Sequence, residues 1–229
     1  MKDVLGQAMY DYYFKKNPQT LWIHNNYGDD QDMPVKTYFR NEEAMPKLEQ
    51  MALKLCKGKV LDVGAGVGSH TLALQLKGID TTAIEISPKA TEVMKHRGVK
   101  KIETGDVFSY NEDTFDTLLF MMNGLGFTGT VDNLRSFLQH SKTLINSGGQ
   151  LLSDSCDVAY LYDGKLPKRD SYYGEITYQY EYKGQKTDWF SWLYIDRYLL
   201  SKVALEEGWK TSVVADDKWD KFLVRLTLK

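Results

Sequence analysis

The sequence predicts an α/β fold: a doubly wound, mostly parallel sheet with helices packed on both faces. Three observations predict it. The apolar run Val60-Leu61-Asp62-Val63 stops at Gly64 and is followed by residues at helical spacing, which makes a strand–turn–helix unit. Between residues 59 and 154 further apolar runs alternate with amphipathic segments, the pattern of a parallel sheet. Two last strand-like runs, 209–215 and 221–228, follow a helix and bring the sheet to seven strands.

Each element has its own signal. Residues 3–16 read as an aromatic-rich helix that Asn17-Pro18 breaks. Residues 17–40 read as irregular, with Trp22, Tyr27, Tyr38 and Phe39 among polar and glycine residues. Asn41 is placed to cap a helix whose stripe is Ala44, Leu48, Met51, Ala52 and Leu55, with Gly58 as its stop. Strands are expected near 59–63, 80–86, 100–104, 115–121 and 148–154. Leu72, Ala73 and Leu76 mark the helix after the glycines. Ser87-Pro88 starts the next, with Ala90, Val93 and Met94 inward. Val131, Leu134, Leu138 and Ile145 mark another. Residues 105–114 leave room for a turn only.

Residues 174–195 switch to period two. Ile176, Tyr178, Tyr180 and Tyr182 alternate with polar residues, and Phe190, Trp192 and Tyr194 alternate after the Lys183–Lys186 turn, so an inserted β-hairpin is expected over 170–196. A helix over 197–207 follows, with Leu200, Val203 and Ala204 inward and Gly208 as its stop.

Composition bounds the function. The chain has 229 residues, 42% hydrophobic and 26% charged, the balance of a water-soluble globular protein. The net charge of −2 argues against a dedicated nucleic-acid binder. Cys56 and Cys156 are too few for a disulfide framework or a zinc site and read as small buried hydrophobes. No apolar stretch reaches membrane-spanning length and no signal peptide is read, so a cytoplasmic protein without membrane contact is expected. His24, His70, His96 and His140 lack the spacing of a metal site, and no metal is expected.

The chemistry concentrates at Gly64, Gly66 and Gly68. Glycines after a strand let a ligand approach backbone, and the helix start behind them offers free N–H groups and a positive dipole end. The spacing is G-x-G-x-G, with Ser69 where a dinucleotide fingerprint places its third glycine. Glu85 lies 21 residues after Gly64, the distance at which a carboxylate takes the two hydroxyls of a ribose. Asp106 follows the third strand.

With these residues in place the chain resembles the class I S-adenosylmethionine-dependent methyltransferases. The motifs are VLDVGAGVG (60–68), AIEIS (83–87), GDV (105–107), FDTLLFMMNG (115–124) and GGQLLSD (148–154), in that family's order. The resemblance covers Lys57 to Asp154. It implies one Rossmann-like methyltransferase domain over 1–229 with an antiparallel last strand. Its parts are an N-terminal helical cap or lid (1–56), a cofactor-binding core (57–154), the inserted hairpin (170–196) and a C-terminal helix with two strands (197–229).

The resemblance also implies roles. Gly64, Ala65 and Gly66 would let the methionine part of S-adenosylmethionine lie against backbone, and Asp62 would fix the loop or reach the amino group through water. Glu85 would hold the ribose and Ile86 would pack on the adenine. Asp106, with the Val107 N–H beside it, would take the adenine amino group. Met122 and Asn123 stand where the reactive methyl is expected. Arg40 is a candidate to neutralise the cofactor carboxylate, and His70 a weaker one. Against each role stands a plainer one: a tight turn, a solvated strand end, core packing or a surface ion pair.

The expected reaction is methyl transfer to a small-molecule acceptor by in-line attack on the sulfonium methyl, giving S-adenosylhomocysteine. Trp189, Trp192, Tyr172, Tyr173 and Tyr178 are candidates to wall an acceptor pocket or cage a cationic amine, with packing of the hairpin as the simpler reading. No general base is identified; Tyr173, His24 and Asp154 are the residues weighed. The rivals are an NAD-type oxidoreductase, a cofactor-binding scaffold without turnover, and an RNA or protein methyltransferase. The missing Asn-Pro-Pro-aromatic pattern at 123 weakens the last. Monomer and homodimer both stay open.

Overall fold

The computed structural model describes residues 2–15, 18–163, 165–167, 170–217 and 220–229. Asn17, expected to break the first helix with Pro18, lies outside them. In chain order the regular elements are α1 (Val4–Tyr10), β1 (Leu21–Asn25), β2 (Gln31–Met33), α2 (Lys47–Leu55), β3 (Val60–Val63), α3 (Ser69–Leu76), β4 (Thr81–Glu85), α4 (Pro88–Arg97), β5 (Ile102–Thr104), β6 (Phe115–Phe120), α5 (Val131–Leu144), β7 (Ile145–Cys156), β8 (Glu175–Tyr182), β9 (Gln185–Lys186), β10 (Phe190–Leu193), α6 (Arg197–Glu206), β11 (Trp209–Asp216) and β12 (Lys221–Leu228). They form a seven-stranded, mostly parallel sheet and a separate five-stranded one, the α/β architecture the sequence predicts.

The chain packs as two compact units. The first comprises Met1–Met45, Leu61–Tyr110 and Thr177–Phe190. It holds the β3-β4-β5 run of the large sheet, with β4 and β5 parallel. Val4, Ala8 and Met9 of α1 pack with Val67, Ala90 and Val93, and with Leu21 and Tyr182. Ala65, Ala83, Met94 and Val99 make a second apolar cluster. Helix α4 has the boundaries its sequence dictates. The Ser87 hydroxyl accepts the Ala90 N–H, Pro88 sits in the first turn, and Gly98 closes the helix at φ +90°.

The second unit comprises Pro46–Val60, Asn111–Ile176 and Ser191–Lys229. It holds the β11-β12-β7-β6 run. Strands β6 and β7 are parallel, and β12 is antiparallel to both β7 and β11. Its aromatic core includes Phe120 edge-on to Phe137 at 5.5 Å, and Trp209, fully buried, whose indole N–H donates to the Leu138 carbonyl at 3.1 Å.

Several expectations are corrected. Residues 18–40 are not irregular throughout: Leu21–Asn25 and Gln31–Met33 are antiparallel strands, and 3₁₀ turn Val35–Phe39 follows. Short, half-exposed strands with one buried face leave too few apolar residues for a visible alternation. Asn41 caps the 3₁₀ turn Glu42–Ala44, whereas α2 starts only after Pro46, which cannot donate to the turn before it. The first helix is α-helical to Tyr10 and then widens into a π-turn over Asp11–Lys15. Leu76 points outward, 89% exposed. Ile145 opens β7 instead of closing α5, and the register of β7 jumps between Ile145 and Gln150, across the Gly148-Gly149 kink. Residues 175–186 do turn back on themselves, but β8 also pairs with β1 from Leu21↔Tyr182 to Asn25↔Tyr178. The period-two segment thus forms the expected hairpin and, in addition, joins β1 in the five-stranded sheet. A strand's pairing partner distant in sequence leaves no local trace.

Candidate active site

Within the first unit β3 ends at Val63 and the chain turns through Gly64, Gly66 and Gly68 at φ +67°, +56° and +79°, a conformation that residues with a Cβ adopt only at a cost. The three have different reasons to be glycine. A Cβ on Gly64 would meet nothing within 4 Å, so this backbone faces open space. One on Gly66 would lie 3.8 Å from Met9 Cε and 3.9 Å from Tyr38 Cδ1, so the N-terminal segment covers it. One on Gly68 would strike Val99 Cγ2 at 2.7 Å, so this glycine seats α3 against the chain after α4. The Gly64 and Ala65 N–H groups both donate to the Ile84 carbonyl, at 3.0 and 3.2 Å.

The last residue of β4, Glu85, is tied to this loop. Its Oε2 accepts the Gly66 N–H at 2.8 Å and its Oε1 accepts the Ser87 N–H at 2.9 Å. Burial pushes its carboxyl above the usual range, the Ser87 and Gly66 N–H groups oppose this, and nearby Asp3 adds to the rise. Asp3 caps α1 through the Gly6 N–H and accepts the Ser87 hydroxyl at 2.8 Å, which pins the start of α1 to the start of α4. Gly6 permits this approach, since a Cβ there would fall 2.0 Å from Ser87 Oγ. A carboxylate has about four lone-pair positions, so each Glu85 oxygen retains capacity for another donor.

Asp62, in the middle of β3, is buried and accepts the Thr71 hydroxyl at 2.6 Å. Burial raises its carboxyl, with His70 and Thr71 opposing. It ties β3 to α3 directly. His70 is buried in the same helix. Asp106 caps a short 3₁₀ turn, Val107–Ser109, by accepting the Phe108 N–H at 2.9 Å, and Val107 is buried. The crossover at 105–114 is thus a single turn, as expected. Ile86 is 68% exposed, an apolar side chain left in solvent beside Glu85. Arg40, half-buried, follows the Val35–Phe39 turn in extended conformation.

In the second unit β6 ends at Phe120, and Met122 and Asn123 both take left-handed conformations, at φ +61° and +57°. Asn tolerates this and Met does not, so the turn carries strain of the kind found at functional sites. Asn123 is held by two groups. Its N–H donates to Asp154 Oδ1 at 3.0 Å and its Nδ2 to the Leu193 carbonyl at 3.0 Å. Its Oδ1 is buried and finds no hydrogen-bond partner among the described residues. Gly126 lies against Trp192: a Cβ there would fall 2.0 Å from the indole Nε1.

The three residues weighed as bases are all engaged. His24 Nδ1 contacts Asp30 at 2.8 Å and Nε2 contacts Glu181 at 2.9 Å, which leaves neither ring nitrogen for proton abstraction. The Tyr173 hydroxyl donates to Asp157 at 2.7 Å, and burial, then Asp157, push its pKa up. Asp154 holds the Asn123 N–H. Among the aromatic candidates, Tyr172 is bound to Asp196 at 2.7 Å, Tyr178 lies edge-on to Tyr27 at 6.2 Å, and Trp189 is exposed. No group of His, Cys, Asp and Glu among the described residues is arranged to hold a metal ion.

Sequence reasoning missed Asp3, Met9 and Arg97. Met9 and Asp3 sit in a helix read only as aromatic packing, and nothing local indicates that it lies on the glycine loop. Arg97 reads as a helix-end cation, yet it donates to the Val67 carbonyl at 2.6 Å, inside the loop.

The comparisons agree with this geometry. A family model described as a methyltransferase domain matches residues 37–199. An S-adenosylmethionine-dependent methyltransferase from Bacteroides fragilis, solved in complex with S-adenosyl-L-homocysteine, is 40% identical with a TM-score of 0.91, covering 99% of this chain and 95% of that one. The CcbJ methyltransferase of Streptomyces caelestis shares the fold at 11% identity and a TM-score of 0.64, over 83% of this chain and 99% of its own. A demethylmenaquinone methyltransferase of Tropheryma whipplei (strain Twist) is 28% identical over 100 residues, which span 41% of this chain and only 40% of that relative. A relative 40% identical over nearly the full length of both chains, a methyltransferase family match over most of the chain, and a glycine loop tied to a strand-end carboxylate lead to one assignment: the chain belongs to the S-adenosylmethionine-dependent methyltransferases of the class I fold.

Proposed function

We propose that this protein transfers the methyl group of S-adenosylmethionine to a small-molecule acceptor, releasing S-adenosylhomocysteine. The observation that supports the reading is the join between Gly66 and Glu85, a loop N–H on a carboxylate at 2.8 Å, because it ties the strand-end carboxylate proposed for the ribose to a loop whose backbone is left open at Gly64. When bound, the cofactor supplies a methyl already activated by its sulfonium, so the chain has to align the acceptor and exclude water rather than create a leaving group.

In this reading Glu85 takes the ribose hydroxyls, and exposed Ile86 covers the adenine, whose amino group goes to Asp106 beside the Val107 N–H. Gly64, Ala65 and Gly66 take the methionine part. Asp62 acts by fixing the loop, as its bond to Thr71 supports, and Arg40 meets the cofactor carboxylate. For Met122 and Asn123 the proposed role is ligand contact at the carboxyl end of β6, where ligands of open α/β sheets bind. The buried Asn123 Oδ1, which has no hydrogen-bond partner among the described residues, would accept an N–H from the cofactor or the acceptor. Residues 1–56 act as the cap of a single functional domain. A net charge of −2 favours a small acceptor over nucleic acid, and two buried, widely separated cysteines, Cys56 and Cys156, fit a cytoplasmic setting.

Thermal unfolding with S-adenosylmethionine, S-adenosylhomocysteine or NAD tests the reading. A ligand at a hundred times its Kd adds about 2.7 kcal/mol, a rise of about 5–10 °C for a chain of this size. A rise with the two sulfur nucleotides alone, followed by methyl transfer from labelled S-adenosylmethionine to a small-molecule extract, is the expected result. A rise with NAD alone would overturn it.

A further inference from the structure

Arg97 stands in the last turn of α4, outside every motif, between AIEIS (83–87) and GDV (105–107). Its guanidinium is half-buried, and among the described residues no carboxylate pairs with it. Burial lowers its pKa, which Tyr13 opposes, yet a guanidinium stays charged under all ordinary conditions. A partly buried cation without a carboxylate must be held by neutral acceptors. Here these are the Val67 carbonyl, at 2.6 Å from Nη1, and the Ser69 hydroxyl oxygen, at 3.2 Å from the same nitrogen. The Ser69 hydroxyl in turn donates to the Tyr38 carbonyl at 2.6 Å. The ring of Phe39 lies under the guanidinium, 5.2 Å from its carbon.

The consequence is geometric. Val67 and Ser69 flank Gly68, at the end of the glycine loop, and the Gly68 N–H closes that loop on the Ala65 carbonyl at 2.8 Å. Tyr38 is one of two side chains over Gly66. One cation thus holds the exit of the loop and, through Ser69 and Phe39, the segment that covers it. Three glycines at positive φ give a turn many alternative shapes, and a charge-assisted bond to its carbonyl selects one.

We propose that Arg97 is a positioning residue for the methionine half of the cofactor. It acts through the Val67 carbonyl and the Ser69–Tyr38 link, and it does not touch the adenosine half, which Glu85 and Asp106 hold. This rests on the glycine loop taking the methionine part, as proposed above.

The experiment is isothermal titration of the full chain with S-adenosylhomocysteine and with 5′-methylthioadenosine, which lacks the amino-acid part. Arg97→Met and Ser69→Ala are compared with the unchanged protein, with Glu85→Gln as the control. Arg97→Met is expected to weaken S-adenosylhomocysteine about tenfold and methylthioadenosine less than about twofold, the loss of one charge-assisted contact set. Arg97→Lys should recover part of the loss, since it keeps the charge but not the planar fork. Ser69→Ala should show the same selective loss, smaller, should Arg97→Met fold poorly. Equal weakening of both ligands, or of neither, overturns the proposal when Glu85→Gln weakens both. If Glu85→Gln changes neither affinity, the cofactor placement itself fails, and the Arg97 role falls with it.

Discussion

Glu85 accepts the Gly66 N–H at 2.8 Å, so the strand that would grip the ribose and the loop that would admit the methionine part move as one body. The ionised carboxylate is the form that accepts donors, and burial has raised its pKa. Affinity for S-adenosylhomocysteine is therefore expected to be full only above the raised pKa. It should decline as pH falls through the raised pKa, beginning above the usual carboxylate range near 4. Titrations at descending pH check this. A Glu85→Gln protein should bind about tenfold or more weakly and lose most of that pH dependence.

His24 joins β1 to β8 through Glu181 and is held from its other nitrogen by Asp30, and these two bonds raise its pKa in that order. Lys186 also contacts Glu181 at 3.1 Å. A His with a raised folded pKa stabilises most below its unfolded value near 6.5, and the gain is lost as pH rises through the folded pKa. The melting midpoint should therefore fall slightly between mildly acidic and mildly alkaline pH, on the order of 1–2 °C for a pair so close to solvent. His24→Gln should flatten that slope. An unchanged slope in the variant would place the titrating group elsewhere.

Asp11 is 1% exposed at the start of the π-turn and receives Gln7 at 2.9 Å, Lys15 at 2.8 Å, Lys183 and the Tyr182 hydroxyl. Burial alone would raise its carboxyl, but the bonds from Lys15, Lys183 and Gln7 hold it at about 2. Its contribution is present above the unfolded pKa and is lost as pH falls toward 2. Asp11→Ala leaves a buried tyrosine hydroxyl and two lysines without their acceptor and is expected to cost about 2–3 kcal/mol in denaturant unfolding. Asp11→Asn, which keeps the volume and one acceptor, should cost less.

Gly126 and Trp192 give a steric prediction, with 2.0 Å between a would-be Cβ and the indole Nε1. Gly126→Ala must displace the indole, and overpacking of this kind costs about 1–3 kcal/mol. A lower melting midpoint together with a shifted tryptophan emission maximum is the expected result. An unchanged emission maximum would mean that the backbone, not the indole, gives way.

The core from β3 to β7 was legible in the chain because its signals are local. Apolar runs, the Ser87-Pro88 start and the Gly98 stop of α4 report conformations that a few neighbouring residues decide. The same holds for the three loop glycines, whose positive φ is a property of the residue itself. Glu85 stands out in the sequence through its spacing from them, which a strand–helix–strand unit of fixed rise imposes.

Tertiary structure alone decided the rest, wherever the deciding partner is remote in sequence. The pairing of Leu21–Asn25 with β8 joins segments some 157 residues apart, and neither shows by itself which edge it will meet. The π-turn at Asp11 answers to Lys183 and Tyr182, and the fit of Met9 and Tyr38 over Gly66 depends on how α1 docks on α4 through Asp3 and Ser87. Composition and motif determined the methyl donor, because the glycine loop proposed as its cradle and the strand-end carboxylate proposed for its ribose are short-range devices. The contacts that hold the cradle in shape, Arg97 on Val67 among them, are long-range and belong to the fold.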